Sequence, residues 1–399
     1  MTELCHSSSV RRLSQPAVLI AGILLIAMNL RAPFTSVATL LESLRQSLGF
    51  NATAAGMLMI LPLLAFVIVS PCVPALARRL GLERSLGLAL VTIAAGVVVR
   101  AQGTMLALYL GIALIGAGIA VGNVLLPSLV KRAFPQHIAL LTSCYVLTMG
   151  IMAAIASTAM VPLEQSSPLG WRFAFAVMVV LPVLTLLVWW PQLSSKTAPV
   201  ITEAATHLET PLWKVPLAWQ VTCYMGLNSL LFYTINSWLP SILADNGFAL
   251  GQAGSLHGLL QLASALPGLV LVPLMPRLKD QRLIAMLAPC MTIAGLLGLW
   301  MVPQWAIIWV ALIGGGTGAT FILALSFVGL RARHSLQAAS LSSMAQTLGY
   351  LLAALGPPII GRLYDWQGNW QMALLSCAAI GIVMAGIGGL AGRDIQLPR

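Results

Sequence analysis

Twelve apolar runs follow one another along this chain, and they decide what it can fold into. They lie at 17–41, 53–76, 85–101, 104–130, 138–161, 173–191, 215–238, 252–275, 283–302, 305–330, 338–361 and 370–392. Written as helices rising about 1.5 Å per residue, runs of this length traverse most or all of the ~30 Å hydrocarbon layer of a bilayer. A soluble protein of 399 residues would need charges to cover its surface, yet only 8% of this chain is charged; soluble domains carry about 25%. The runs are too long and too little alternating for strands of a membrane barrel. The expectation is an all-α membrane protein with twelve transmembrane helices.

The basic residues orient it. Of the 21 Lys and Arg, sixteen fall on the side of the N-terminus and four (Arg45, Arg100, Arg172 and Arg362) on the other. One remains, Arg31, within the first run. Positive loops stay inside, so both termini are expected to be cytoplasmic. The net charge of +11 is then loop chemistry and not a nucleic-acid footprint. Met1 to Pro16 is short and polar and lacks a cleavable signal pattern. The six cysteines are scattered without a CxxC or Cys/His cluster, so neither disulfides nor a metal or other cofactor are expected.

The chain repeats itself. ALIGAG at 113–118 matches ALIGGG at 311–316, LTMG at 147–150 lines up with QTLG at 346–349, and AAG at 54–56 lines up with QAG at 252–254. The basic loops ARRLGLERS (77–85) and PRLKDQRLI (276–284) sit at a similar offset of 198 to 199 residues. Several matches in one order at one offset describe two parallel six-helix repeats, 1–191 and 215–399, joined by a polar linker at 192–214. That is the organisation of major facilitator transporters, with a solute site near the midplane between the repeats.

A narrower likeness rests on NLRAPF in the first run, GNVLLPSLVKRAFP (122–135), VPLAWQ (215–220), GQAGSLHGLLQLA (251–263), QAASLSSMAQTLGYLLAALGPP (337–358) and GNWQMALL (368–375). These pieces cover both repeats and resemble the cyanate/nitroimidazole transporter family of the major facilitators, closer to its nitroimidazole branch. The resemblance implies a multi-pass protein of the bacterial inner membrane. It also implies a small-molecule solute such as a nitroimidazole-like compound or cyanate, moved by alternating access. The two basic loops resemble a degenerate form of the superfamily's gating loop. Their candidates are Arg78, Glu83 and Arg84 in one repeat and Arg277, Asp280 and Arg282 in the other; the plainer alternative is positive-inside charge.

The site itself is argued from chemistry. All ten acids fall in loops, tails or span ends. Arg31 therefore has no acid partner at its depth, and an unpaired charge at a helix centre costs about 2.5–3.5 kcal/mol on insertion scales. A bound anion or an electron-rich group would offset that cost; water or backbone could also solvate the guanidinium. Polar side chains at depth line a pathway or bond a neighbouring helix. Asn29, Asn123, Tyr145, Tyr224, Asn228, His257, Gln261, Gln346 and Tyr350 are the candidates beside Arg31. Phe232, Tyr233 and Trp238 join Tyr224 as rings that could stack on a planar solute. His257, with Gln261 at i+4, reads as a proton carrier, a polar contact or a packing residue. An enzyme would need paired carboxylates, a metal cluster or a nucleophile with its base at depth, which the spans do not hold. A monomeric carrier embedded in lipid is the expectation, with a proton-coupled multidrug-type exporter or a transporter-like solute receptor as alternatives.

Overall fold

The computed structural model describes residues 16–194, 212–278, 280–333 and 335–398. The greater part of the expected linker, and Lys279 in the second basic loop, lie outside the described residues. Eleven helices are long and apolar enough to cross a membrane: Pro16–Thr39, Ala52–Leu80, Leu82–Arg100, Met105–Ala133, Leu140–Gln165, Trp171–Ser194, Leu250–Leu271, Arg282–Met301, Pro303–Arg331, Ser340–Gln367 and Gln371–Ala391. The seventh position in this order is filled by the 30-residue helix Pro216–Asp245. Its lower hydropathy has a structural cause. Twenty of its residues are buried, among them Thr222, Asn228, Ser229, Thr234, Asn236, Ser237 and Ser241, so its polar side chains meet protein and not lipid. The fold is all-α, with twelve spans.

Elsewhere the apolar side chains point outward. Ile68, Leu106, Val270, Ile307 and Val383 are exposed, a pattern that would be costly in water and is ordinary against lipid. Spans start and stop where local chemistry demands. Asn51 accepts from the Ala54 N–H, and Thr104 from the Ala107 N–H, capping the second and fourth spans. Gly49, at φ 70°, closes the helix that precedes the second.

The sequence repeat reappears as packing. Gly118 of the fourth span lies against the Ala89 carbonyl, and Gly316 of the tenth against the Ala288 carbonyl, where no larger side chain would fit. Gly116 meets Pro62, while Gly314 meets the Leu260 carbonyl. Arg132 donates to Glu83 at 2.6 Å, and Arg331 donates to Gln281 at 2.5 Å. All of these pairs are related by the offset of 198 to 199 residues. The ALIGAG and ALIGGG segments are alike because both must let a neighbouring backbone approach.

Two features position the site. At the face away from the termini, the first six and last six spans close on each other. Asp365 of the eleventh span accepts from the Ala52 N–H (3.1 Å), the Thr53 N–H (2.9 Å) and the Thr53 hydroxyl (2.5 Å), sitting on the N-terminus of the second span. The far ends of the second and eleventh spans touch through Gly56, against Pro357 and Pro358, and through Gly361, against the Ala52 carbonyl. The fifth and eighth touch through Gly254 and Gly258. Toward the terminal face, by contrast, a cavity of about 280 Å³ separates the second and fourth spans from the eleventh.

Candidate functional site

The first span is not continuous, as the run 17–41 suggests, but breaks at Leu30–Arg31 between helices Pro16–Asn29 and Ala32–Thr39. Pro33 has no N–H for the Asn29 carbonyl, and its ring crowds that carbonyl, so the helix stops there and restarts. Arg31 stands at the break, partly buried. Its Nη2 donates to Ser264 Oγ of the eighth span at 3.2 Å, and its guanidinium carbon lies 4.8 Å from the centroid of Phe232 on the seventh. Ser264 Oγ donates onward to the Gln261 carbonyl. A guanidinium carries five N–H donors; Ser264 takes one, and the residue keeps part of its surface exposed. Arg31 thus spans from the first six helices to the last six with most of its donors unspent.

A chain of rings runs from this cation toward the cavity. Phe232 meets Tyr233 at 5.4 Å, Tyr233 meets Phe34 at 5.8 Å and Tyr350 at 6.4 Å, and Tyr350 meets Phe66 at 5.4 Å, all edge to face. Phe66 and Tyr350 line the cavity with Ser70, Asn123 and Gln346. Gln346 donates to Ser342 one turn away. Arg31, Asn123, Gln346 and Tyr350 are therefore brought to one region between the two groups of six, together with Phe232 and Tyr233.

Beyond Arg31, nearer the closed face, lies a second polar group. His257 is fully buried, with Nδ1 3.0 Å from Ser157 Oγ of the fifth span and Nε2 3.0 Å from the Asn236 carbonyl of the seventh. Gln261 Nε2 donates to Asn236 Oδ1 at 2.5 Å. The His257–Ser157 contact, like Arg31–Ser264, crosses between the two groups of six. The i, i+4 pairing of His257 and Gln261 was visible in the sequence; Asn236, Ser157 and Ser264 were not singled out.

Other candidates lie elsewhere. Asn29 turns away from the cavity and donates to Thr185 Oγ1 of the sixth span at 2.8 Å and to the Leu25 carbonyl at 2.9 Å. Tyr224 is fully buried inside the last six spans, donating to the Ala285 carbonyl at 2.9 Å. Asn228, one turn on, is buried as well, and Tyr145 is buried in the fifth span. Trp238 donates to the Pro357 carbonyl at 2.9 Å. These positions set a prediction. Tyr224→Phe leaves one buried carbonyl without its donor, so thermal unfolding should report a loss of about 1–2 kcal/mol while apparent solute affinity stays unchanged.

Among the loop residues, Glu83 is buried against Arg132, and its carbonyl accepts from Trp189. Arg84 is exposed and donates to the Leu193 carbonyl, and Arg282 pairs with Asp280 at 3.4 Å in the open. Arg78 and Arg277 are exposed at the terminal face. Glu83 and Arg84 bond within the first six spans, and Arg282 with Asp280 in the last six.

Arg100 and Arg331, both counted with the loops, are buried at helix ends, Arg331 toward the terminal face. Arg100 is not a loop residue but fully buried, donating from Nη1 to the Pro33 carbonyl at 2.6 Å and from Nη2 to Ser36 Oγ at 3.3 Å, over the Phe175 ring at 4.2 Å. Arg100 is the last residue of a third span of only 19 residues, about 28 Å of helix, and its side chain turns inward to the first span. Arg31 is therefore not alone at depth. The brevity of the run at 85–101 was the signal.

Twelve membrane-crossing helices closed at one face, with a cation and rings at their centre and a cavity toward the other face, define a solute carrier. The chain belongs to the Major Facilitator Superfamily, whose pattern matches residues 19–357. It is 48% identical to the 2-nitroimidazole transporter of Escherichia coli (strain K12), over 95% of this chain and 96% of the relative. It is 30% identical to the cyanate transport protein CynX of the same organism, over 88% and 91%. These place it in the nitroimidazole and cyanate branch. The fold matches a bacterial homologue of the human lysosomal transporter Spinster, in an inward-facing and occupied conformation. There the TM-score is 0.76 at 14% identity, covering 97% of this chain and 100% of that one.

Proposed function

We propose that this transporter moves a small anion or polar planar solute, cyanate or a nitroimidazole-like compound, with Arg31 as its anchor. The observation that carries the reading is the set of unspent Arg31 donors beside Phe232 and Tyr233. A guanidinium fork matches two oxygens of a nitro or carboxylate group, and such charge-assisted bonds are the strong ones. The neighbouring rings offer an apolar face to a planar heterocycle. The relatives are named for 2-nitroimidazole and for cyanate, both small and electron-rich at oxygen, which supports the same chemistry here.

The halves 1–191 and 215–399 rock about this site, joined by 192–214. With both termini cytoplasmic in the inner membrane, the described state is closed outside and opens inward. Arg31, Asn123, Gln346 and Tyr350 contact the solute. His257 and Gln261 hold the outer closure, and Asn29, Tyr145, Tyr224 and Asn228 support the helices that carry the site. Arg78, Glu83, Arg84, Arg277, Asp280 and Arg282 form the inner gate, and the carrier acts as a monomer.

The test is a thermal-shift series on the purified protein with 2-nitroimidazole, cyanate and benzoate, and with a sugar as control. A ligand held only by the folded state at a hundred times its Kd adds about 2.7 kcal/mol. The flat, electron-rich solutes should raise the unfolding temperature and the sugar should not. No shift from any of the three flat solutes would sink the reading.

A further inference from the structure

We infer that for anionic solutes this carrier is an exchanger, crossing readily with an anion on Arg31 and slowly without one. This rests on the reading that Arg31 anchors the solute. The observation beneath it is a charge count. Among the described residues the ion pairs are Arg45–Glu42, Arg132–Glu83 and Arg282–Asp280, all near the two faces. None involves Arg31. The second guanidinium at this depth, Arg100, answers to the Pro33 carbonyl and Ser36 Oγ and likewise to no carboxylate. Among the described residues near the pair, His257, whose ring nitrogens meet Ser157 Oγ and the Asn236 carbonyl, could add only positive charge.

The positive charge is tolerable while the site is open to one face, because Arg31 keeps part of its surface exposed. Alternating access requires an intermediate sealed at both faces. In it, the donors not given to Ser264 lose solvent, and the Phe232 face and one hydroxyl replace only part of what is lost. A monoanion on the fork restores both hydrogen bonding and neutrality. The cost of an uncompensated guanidinium at a helix centre corresponds to on the order of a hundredfold in rate. The loaded carrier therefore returns much faster than the unloaded one. One anion travelling each way also moves no net charge, whereas net flux carries one charge per cycle.

The experiment uses the full chain in proteoliposomes loaded with labelled cyanate, with protein-free liposomes setting the leak. Efflux is timed into buffer with and without external cyanate, and the cyanate thermal shift is measured on the same preparation. External cyanate should speed labelled efflux by about tenfold or more, and a potassium diffusion potential should leave the exchange rate unchanged. A thermal shift with equal efflux in both buffers overturns the exchanger inference and leaves the binding reading standing. Absence of both shift and protein-dependent efflux removes the binding reading, and the inference with it.

Discussion

Arg31→Ala should lower solute transport by on the order of a hundredfold or more, while the protein still inserts and unfolds cooperatively. Two charge-assisted hydrogen bonds to the solute are at stake, each worth about 1.5–3 kcal/mol. The structure gives no reason for the variant to misfold. Ser264 keeps its bond to the Gln261 carbonyl, and the break at residues 30 and 31 is imposed by Pro33, which the variant retains. Removing a cation that no described carboxylate answers also removes a cost from the fold. Arg31→Lys keeps the charge but loses the planar fork, so it should recover only part of the uptake. Uptake assays on both variants, beside a thermal unfolding curve, check this. Full activity in Arg31→Ala would remove the central assignment.

The second large effect is steric. A Cβ on Gly56 would stand 2.6 Å from the Pro357 carbonyl oxygen and 2.7 Å from Pro358 Cα, both backbone atoms in a helix. Neither can swing aside as a side chain would. Gly56→Val is therefore a wedge between the second and eleventh spans at the closed face, close to where Asp365 caps the second span. The variant should remain open at that face. Uptake falls to background, yet the thermal shift with 2-nitroimidazole persists, because the wedge lies far along the second span from Phe66 and the cavity. Gly386, whose Cβ would meet nothing within 4 Å, supplies the control: Gly386→Ala should transport normally. Normal uptake by Gly56→Val would show that this contact does not close in the cycle.

The fold was largely legible because membrane crossing is a one-dimensional constraint. Apolar length marks each span without knowledge of its neighbours, and eleven of the twelve appear as such in the structure. The twelfth, Pro216–Asp245, shows in the sequence as the shorter run 215–238, and only its burial explains why it can hold so many hydroxyls and amides. The repeat was also legible, since the glycines of ALIGAG and ALIGGG serve the same close approach in both places.

The site was legible only in part. Arg31 stood out because a charge in an apolar run breaks the pattern. Asn29, two residues away and equally out of pattern, points to Thr185 inside its own group of six. Tyr224 and Asn228, four residues apart, share a helix face with Gln220, but that spacing does not say which neighbour the face meets. Tyr224 meets the ninth span, and Gln220 accepts from Arg393 near the terminal face. Phe34 and Phe66, apolar residues in apolar runs, gave no sign that they join the ring chain.

By itself the sequence determined the number of spans, their repeat, the family and the presence of one costly charge at depth, since each follows from local composition against a fixed solvent, the bilayer. Only the tertiary structure decided that Arg100 is buried, that Arg31 meets Ser264 and Phe232, and that His257 ties the fifth, seventh and eighth spans together. These depend on how twelve helices are rotated about their axes. That rotation is set by summed packing between helices distant in sequence, and no single run of residues encodes it.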